Sequence, residues 1–457
     1  MPDTTELIEQ LRATLGDAVV TAEDERYAAA LVVFYGGEPI RPAAVVLAQT
    51  PDDVASTVRL VAPTGVELAI RSGGHSSDRF ALCDGGIVLD LSGMKALSID
   101  AEERTAWAET GMTVREYTQA VGELGLATGF GDIGDVGIGG ITLGGGLGYL
   151  SRVHGLTIDN VLAAEVVTAD GELVVAHEHN HPDLFWAIRG GGGNFGVVTR
   201  FKFRLWDLPT LTGGMIVLPG SAEALAAVVD YAANAPEELT LMVNSMVAPP
   251  MPFLPEAVHG KLVIMLNVAY VGDPESAEAA LAPVRAIAEP LMEQVAELPY
   301  AALIPEQALD IHPVGSARTM FLEALTLEQA QFIVDRLRSA TAPMASTGIR
   351  VLGGAIDRIP VDATAYAHRG RRLLANFAAY TFDGSEVAEL EDWVDELWHE
   401  LKQDDAAYLN FFGHEPPRRV RDVYPGATWE RLQRVKARYD PDNVFRRNHN
   451  IAPVSVG

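Results

Sequence analysis

The chain has 457 residues, of which 48% are hydrophobic and 21% charged, a composition typical of a globular protein rather than of a disordered one. Its 34 Lys and Arg against 62 Asp and Glu give a formal net charge of −28. Such a surface would repel nucleic acid and anionic membranes, although one nucleotide can still bind in a pocket through backbone dipoles. A chain of this length exceeds one ordinary core, so we expect two large lobes.

Cys83 is the only cysteine, which excludes an internal disulfide and a cysteine-ligated zinc site. The N-terminal stretch MPDTTELIEQLRATLG has the spacing of an amphipathic helix and lacks the basic and apolar regions of a secretory leader. No apolar run approaches the roughly twenty residues that cross a bilayer. We therefore expect a cytoplasmic protein without a membrane partner.

The first half of the chain alternates short strand-like runs with helical patterns. Helices are predicted over residues 50–62 and 113–125, each beginning at a threonine suited to capping. The strand-like runs are AAVVLA, ELAIRS, GIVLDLS, AWAETG and AAEVVTADGELVVA, all within residues 43–176. This mixture predicts an α+β layer architecture.

From about residue 206 the pattern changes to longer helices with fewer strands. Helical spacing occurs over residues 221–239, 275–295 and 327–340, and strands are predicted within 261–273 and 350–360. We divide the chain into a first domain of residues 1–205, a second of residues 206–404 whose sheet is covered by helices, and a C-terminal segment of residues 405–457.

Glycine is concentrated in the first domain, in RSGGHS (71–76), GDVGIGGITLGGGLGYL (134–150) and IRGGGGNFG (188–196). Each glycine in a helix interior costs about 1 kcal/mol, so we predict that these runs are not helical. Bare backbone lets several N–H groups approach a phosphate. The spacing differs from the single G-x-G-x-x-G of a Rossmann domain, and three clusters predict a long ligand such as FAD.

Six segments together resemble one family. They are RSGGHS (71–76), GGIVLDLSGM (85–94), VGIGGITLGGGLGYLSRVHGLTIDN (136–160), DLFWAIRGGGGNFGVVT (183–199), LGGAIDRIPVDATAYAHR (352–369) and YLNFF…YDPDNVFRRNHNI (408–451). In this order they are similar to the berberine-bridge-enzyme group of the vanillyl-alcohol-oxidase superfamily, whose FAD domain is of the PCMH type. The resemblance implies a two-lobed FAD-linked oxidase, and the bacterial 6-hydroxynicotine oxidases are its singly linked members.

The resemblance implies a covalent bond between an imidazole nitrogen of His75 and the 8α-methyl carbon of FAD. A neutral imidazole can form this bond, and an unperturbed pKa near 6.5 leaves it neutral at pH 7. The other cofactor contacts that the resemblance implies are Arg71, Ser72, Gly73, Gly74, Ser76, Val136, Gly137, Gly139, Gly140, Thr142, Leu143, Gly144, Val198, Asn410 and Asn448.

Two positions depart from the family pattern or refine it. Many relatives attach the flavin a second time through a cysteine where this chain has Ile133, so a single link is expected. Cys83 lies in another segment, and we expect it to be a small buried apolar residue. Val136 occupies the position at which the family's oxidases keep a small residue, which favours O2 as the electron acceptor.

Tyr408 matches the tyrosine that serves alcohol- and sugar-oxidising relatives as a candidate base. A phenol has an unperturbed pKa near 10, so the role requires neighbours that lower its pKa. Amine-oxidising relatives need no such base. We therefore expect hydride transfer from a small alcohol, sugar or secondary metabolite to FAD, with O2 giving H2O2. The alternatives are an amine oxidase or ring-forming oxidase and a flavin-binding protein without turnover.

Further candidates for the pocket are Tyr149, Tyr300, His312, Glu323 and Tyr380.

The segment HEHNHPD, residues 177–183, has histidines at alternate positions that could share one face of a strand and bind a metal. It lies between a predicted strand and the run DLFWAIRGG, where a polar turn is typical. We predict a solvated loop and no metal site.

Overall fold

The computed structural model describes residues 4–250, 254–304, 311–382, 384, 387–413 and 419–454. Its helices are α1 Thr5–Leu15, α2 Tyr27–Ala30, α3 Pro51–Val61, α4 Val114–Gly122, α5 Ile138–Gly144, α6 Ser151–His154, α7 Pro182–Ala187, α8 Ala222–Asn234, α9 Pro274–Ile287, α10 Leu327–Ser339, α11 Ala355–Arg358, α12 Val387–Leu401, α13 Val420–Val423 and α14 Ala427–Tyr439. No helix within the described residues combines the length and apolarity that crossing a membrane requires.

The strands are β1 Val19–Val20, β2 Ala44–Leu47, β3 Leu68–Arg71, β4 Ile87–Asp90, β5 Leu97–Asp100, β6 Thr105–Glu109, β7 Leu126–Ala127, β8 Val161–Val167, β9 Leu173–Ala176, β10 Val197–Arg204, β11 Trp206–Asp207, β12 Leu211–Pro219, β13 Leu239–Val247, β14 Leu262–Tyr270, β15 Met292–Leu298, β16 Val314–Leu322, β17 Met344–Val351 and β18 Leu373–Thr381.

Threonines cap α3 and α4, as predicted. Thr50 and Thr113 each accept the backbone N–H of the third helical residue, Asp53 or Glu116, at 3.2 Å. The carboxylate of that residue in turn accepts the backbone N–H of its threonine. Each reciprocal pair satisfies two N–H groups, one of which the start of the helix would otherwise leave without a partner.

The first lobe consists of two main sheets with α3 between them. In one sheet, of order β1-β2-β4-β3, the strands β2 and β3 run parallel to the central β4. The other, of order β5-β6-β10-β8-β9, is antiparallel. Helix α3 contacts β4 in the first sheet and β8 and β10 in the second, and buries Val54, Val58 and Val61. Burial of this valine face joins the two sheets into one layered unit.

The second lobe is built on one antiparallel sheet, whose order among the described residues is β15-β12-β14-β13-β17-β18-β16. Helices α8, α10 and α12 cover one face and bury Leu225, Ile333 and Leu397 in a shared core. The chain is therefore of the predicted α+β class, with an antiparallel sheet covered by helices. The sheet spans residues 211–381, while the exact domain boundaries at 205 and 404 stay a prediction.

A short helix occupies part of the second glycine cluster, so the prediction that this run is not helical was wrong. Helix α5 includes Gly139 and Gly140. A Cβ at Gly139 would lie 2.9 Å from Ser72 Oγ, so close packing against the loop after β3 requires glycine there. This packing offsets the helix cost of about 1 kcal/mol per glycine. The helix ends at Gly145, whose φ of +139° few other residues adopt.

A second difference concerns residues 350–360, which were predicted to form a strand. Strand β17 ends at Val351, and Ala355–Arg358 form α11. Gly353 and Gly354 between them have φ angles of +95° and +60°. Two successive residues in this left-handed region turn the chain out of the extended conformation.

Candidate active site

A cavity of about 360 Å³ lies beside the glycine-rich segments of the first lobe. This volume is within the range of about 300–1,000 Å³ of small-molecule sites. Of the predicted site residues, its wall contains Ser72, Gly73, Gly74, His75, Ser76, Val136, Gly137, Gly139, Gly140, Leu143, Gly144, Val198, Tyr408, Asn410 and Asn448. The fold therefore brings together segments that lie more than 300 residues apart in the chain. The role of each of these residues toward a cofactor stays a prediction.

The glycines of this wall serve two purposes. At Gly73 a Cβ would lie 2.2 Å from the backbone nitrogen of Gly137, so glycine there permits two backbone segments to touch. At Gly140 and Gly193 a Cβ would meet nothing within 4 Å, although both residues line the cavity. The wall at these two positions is bare backbone facing open space, which lets a ligand approach N–H groups directly.

His75 follows Gly74, which has a φ of +69°. Its imidazole stacks on Phe34, with ring centroids 4.6 Å apart and an angle of 13° between the planes. Burial lowers the pKa of His75 to about 4, an effect that the charge and backbone of Asp135 only partly oppose. The imidazole is therefore neutral at physiological pH, with a nitrogen lone pair available for bonding.

Tyr408 is 2% exposed, and its Oη accepts two hydrogen bonds. The donors are the backbone N–H of Gly146 and the side-chain amide of Asn410, both at 3.0 Å. Burial raises the pKa of Tyr408, although these two donors act in the opposite direction. The predicted role as a base required neighbours that lower the pKa of Tyr408 below its usual value. Gly146 and Asn410 do act in that direction, but burial raises this pKa by more than they lower it. A phenolate here would be held by two N–H groups.

Arg71 and Thr142 lie outside the cavity wall, and their contact with the cofactor stays a prediction. The guanidinium of Arg71 forms a buried ion pair with Asp90 and donates to the carbonyl oxygen of Ala30. Thr142 Oγ1 donates to the carbonyl oxygen of Ile138 within α5. The charge of the Arg71 guanidinium is thus neutralised by a buried carboxylate.

The five further candidates for the pocket also lie outside its wall. Two of them contact residues of the wall: Tyr380 Oη is 3.4 Å from that of Tyr35, and His312 Nδ1 is 3.3 Å from the carbonyl oxygen of Phe34. His312 Nδ1 is 2.9 Å from the carbonyl oxygen of Val33. Tyr149 and Tyr300 are buried in the core of the first lobe, and Glu323 lies 3.5 Å from Arg371 at an exposed position.

Several residues of the wall carried no signal that sequence reasoning used. Phe34 and Tyr35 precede the first recognisable motif. Asp132 pairs with Arg350 of β17 at 3.1 Å and so connects the cavity to the second lobe. The ring of His449 packs between Phe80 and Phe412, at centroid distances of 4.9 and 5.0 Å. Ion pairs and ring contacts between residues so far apart in the chain produce no periodic pattern from which the sequence could predict them.

Ile133 is 47% exposed and lines the cavity. Cys83 is fully buried, as predicted, and its sulfur lies 3.4 Å from the carbonyl oxygen of Ile87. Burial raises the pKa of the Cys83 thiol to about 12. A thiol that stays protonated inside a core is chemically inert.

The histidine-rich segment forms an exposed turn, as predicted. His177 and Asn180 exchange backbone hydrogen bonds of 2.8 and 3.1 Å across the turn, and the side chain of His179 is 81% exposed. His181 instead contacts Tyr439 Oη at 2.9 Å. Within the described part of the chain, no three His, Cys, Asp or Glu side chains converge as a metal site.

The cavity and its wall fit an FAD cofactor. Bare backbone at Gly140 and Gly193 faces the open volume, and the neutral imidazole of His75 lies in the same wall. Asn448 donates its amide to the carbonyl oxygen of Gly193 at 3.0 Å, while its buried Oδ1 has no protein partner. A buried acceptor of this kind requires a donor, which an N–H of a flavin ring can supply.

Comparisons with known proteins agree with this geometry. Residues 42–177 match the model of an FAD binding domain, and residues 407–452 match the model described as berberine and berberine like. The FAD-linked oxidoreductase YvdP of Bacillus subtilis is 30% identical, over 91% of this chain and 93% of that protein. Xylooligosaccharide oxidase of Thermothelomyces thermophilus is 28% identical, over 92% of this chain and 88% of that one.

A crystal structure of 6-hydroxy-D-nicotine oxidase from Arthrobacter nicotinovorans superposes with a TM-score of 0.84 at 26% identity. The match covers 95% of this chain and 97% of that one. Fold and cavity together define a two-lobed flavoenzyme of the vanillyl-alcohol-oxidase type. The chain belongs to the berberine-bridge-enzyme-like family of FAD-linked oxidoreductases.

The close approach at Gly73 leads to a prediction. Gly73→Ala places a Cβ 2.2 Å from the Gly137 nitrogen and forces the two backbone segments apart. We expect strain of about 1–3 kcal/mol, a lower melting temperature and weaker retention of FAD after gel filtration. Gly122→Ala is the matched control, because its Cβ would have Ala301 as nearest neighbour at 3.7 Å. Equal flavin content in both variants would contradict the prediction.

A buried ion pair fixes another part of the wall. Lys436 Nζ, fully buried, donates to Asp440 Oδ2 at 2.6 Å and to the carbonyl oxygens of Asn194 and Phe445 at 2.8 and 2.9 Å. Asn194 and Phe445 line the cavity from two different segments. Lys436 therefore joins the glycine-rich loop to the C-terminal segment.

Lys436→Met is expected to destabilise the fold by about 3–5 kcal/mol, because it leaves the Asp440 carboxylate buried without its cation. Thermal denaturation of the variant measures this loss. Lys95→Met is the matched control: its pair with Glu116 is exposed, so the cost is about 0–1 kcal/mol. Similar melting temperatures for the two variants would show that the buried pair contributes no more than the exposed one.

Proposed function

We propose that this FAD-linked oxidoreductase is an oxidase that carries its FAD on a single bond to His75 and acts on a small alcohol, sugar or secondary metabolite. When bound, FAD supplies a hydride acceptor that O2 reoxidises with formation of H2O2. The observation that carries the proposal is the neutral, stacked imidazole of His75 in the wall of the cavity. We also propose the three-part division at residues 205 and 404, and a cytoplasmic location.

The covalent bond joins an imidazole nitrogen to the 8α-methyl carbon of the flavin. The unprotonated nitrogen would form the bond, the imidazole would lose the proton of its other nitrogen and the methyl carbon would lose one proton, and the two electrons left over would pass to O2, giving H2O2. His75 supports this step because burial keeps its nitrogen lone pair unprotonated. The position of a second attachment is held by Ile133, whose side chain cannot form a thioether.

Oxidation of a C–OH group requires that a base take the hydroxyl proton as hydride leaves the carbon. Tyr408 is the candidate base, because Gly146 N–H and the Asn410 amide both donate to its Oη. These donors stabilise the phenolate that has to form before it can accept a proton. Asn410 also donates to the carbonyl oxygen of Ile141 at 2.9 Å, which fixes its amide in place.

Amine oxidation is the second candidate function, and the raised pKa of Tyr408 favours it. A neutral amine brings its own lone pair and needs no phenolate. The relative from Arthrobacter nicotinovorans is named for such a substrate, whereas the one from Thermothelomyces thermophilus is named for a sugar. The two functions therefore differ in one requirement: oxidation of an alcohol or sugar needs Tyr408 as a phenolate, and oxidation of an amine does not.

A donor panel tests the proposal. The purified protein is mixed without oxygen with a xylo-oligosaccharide, a benzylic alcohol and 6-hydroxy-D-nicotine, and bleaching of the flavin absorbance is followed. Air is then admitted and H2O2 is measured. Bleaching by an alcohol or sugar with one H2O2 per flavin turnover is expected. Bleaching by the amine alone would favour the second candidate, and no bleaching by any donor would support a flavin-binding protein without turnover.

A further inference from the structure

The segment of residues 30–36 precedes the recognised motifs and borders the cavity next to His75. Phe34 in this segment lies almost parallel to the imidazole, at 4.6 Å between centroids and 13° between planes. Tyr35 meets the Phe34 ring edge-on at 4.9 Å and 89°. Both aromatic residues line the cavity. Phe34 therefore forms a flat aromatic floor under the proposed attachment residue.

The first lobe holds this segment by its backbone. Phe34 N–H donates to the carbonyl oxygen of Gly74 at 3.1 Å, directly before His75 in the chain. The guanidinium of Arg71 donates to the carbonyl oxygens of Ala30 and Val32. The Arg71 guanidinium therefore fixes the segment that carries Phe34, and Arg71 does not line the cavity.

The second lobe holds the other end. Gly36 N–H donates to the carbonyl oxygen of Pro313 at 3.0 Å, and His312 Nδ1 lies 2.9 Å from the carbonyl oxygen of Val33. A segment bonded on both sides keeps the Phe34 ring in one place. The position of that ring is therefore a property of the assembled lobes.

Stacking restricts the imidazole without blocking its chemistry. The reactive lone pair of a neutral imidazole lies in the plane of the ring, and an aromatic ring on its face leaves that edge accessible. Without the face contact, His75 could adopt other side-chain rotamers around a flexible Gly-Gly backbone. A reacting atom misplaced by about 1 Å can slow a reaction about 100-fold.

We propose that Phe34 is a positioning residue for covalent flavin attachment, holding the His75 imidazole edge-on to the methyl carbon with which it bonds. The inference rests on the proposed bond between His75 and FAD. Phe34 acts through His75 and takes no part in proton or electron transfer. The aromatic face of Phe34, rather than the volume of its side chain, orients the imidazole.

The test follows attachment over time. Full-length protein is produced with limited riboflavin, mixed with increasing FAD in air, and sampled for flavin fluorescence in acid-treated denaturing gels. Phe34→Leu is expected to lower the maximal attachment rate roughly threefold to tenfold, the range for loss of one aromatic pair. The FAD concentration that gives half the maximal rate stays within about twofold. Phe34→Tyr, which keeps the ring, restores the wild-type rate.

Trp206→Leu is the matched control, because Trp206 also stacks on an imidazole, that of His154 at 4.3 Å and 8°, and neither residue lines the cavity. It is expected to attach FAD at the wild-type rate. Wild-type attachment by Phe34→Leu, or equal slowing by Trp206→Leu, overturns the inference. A loss confined to FAD affinity also overturns it. If the wild-type chain never attaches FAD, the bond to His75 fails first, and gel fluorescence distinguishes that result from a failure of Phe34 alone.

Discussion

His75→Ala is expected to bind FAD but to release all of it on acid denaturation, so that its denatured band shows no flavin fluorescence. The described cavity wall holds one other imidazole, that of His449, but its ring packs between Phe80 and Phe412. Ile133 has no reactive atom, and the described wall does not include Cys83. Mass mapping of the wild-type flavinylated peptide should locate the added mass on residues 71–79. A His75→Ala chain that still carries bound flavin after denaturation would refute the assignment.

The pH dependence follows from the burial of His75. Its pKa is about 4 in the folded protein and near 6.5 when unfolded, so the folded imidazole is neutral throughout pH 5.5–8. Attachment is therefore expected to proceed at a similar rate over that range, as measured by gel fluorescence. A fall centred near pH 6.5 would show that the imidazole is exposed. The same shift destabilises the fold as pH drops from about 6.5 toward 4, because the unfolded state then binds the proton.

Tyr408→Phe is expected to slow flavin reduction by an alcohol or sugar by about 10²–10⁴-fold, the usual contribution of a general base. The substitution removes the Oη that accepts from Gly146 and Asn410 and keeps the ring in its buried site. Stopped-flow bleaching without oxygen measures this step alone. Reoxidation of the reduced flavin by O2 is expected to keep its wild-type rate.

The pH profile separates a base from a packing residue. Because burial raises the pKa of Tyr408, the phenolate is a small fraction that still grows over the whole range, and the wild-type reduction rate should rise from pH 7 to 10. The profile of Tyr408→Phe should be flat. Tyr366→Phe is the matched control, since Tyr366 packs against the Tyr408 ring at 6.0 Å and does not line the cavity. An unchanged rate in Tyr408→Phe with an amine donor would support amine oxidation.

Local signals in the sequence were reliable where neighbouring residues decide the structure. Thr50 and Thr113 were predicted to begin helices, and each does so through a hydrogen-bonded pair only three residues apart. The buried state of Cys83 and the exposed turn at residues 177–180 were predicted in the same way. The prediction for α5 was wrong because contact with Ser72, and not local propensity, decides its glycines.

The candidate site was predicted in part. The three glycine clusters, among them the RSGGHS segment, indicated a substantial part of the cavity wall, since a backbone that meets a long ligand closely has to lack side chains. The same motif placed Arg71 beside the cofactor, yet the structure pairs it with Asp90. The motif records only that an arginine precedes the serine and the glycine pair. It does not say in which direction the guanidinium points.

By itself, the amino-acid sequence determined the α+β class, several helices and strands, the family, the cofactor class and the absence of a second cysteine. Only the tertiary structure brought Phe34 onto His75, Lys436 to Asn194 and Arg350 to Asp132. These partners lie 41, 242 and 218 positions apart. A contact of that kind depends on how whole elements pack, and periodicity or spacing within one segment does not encode it.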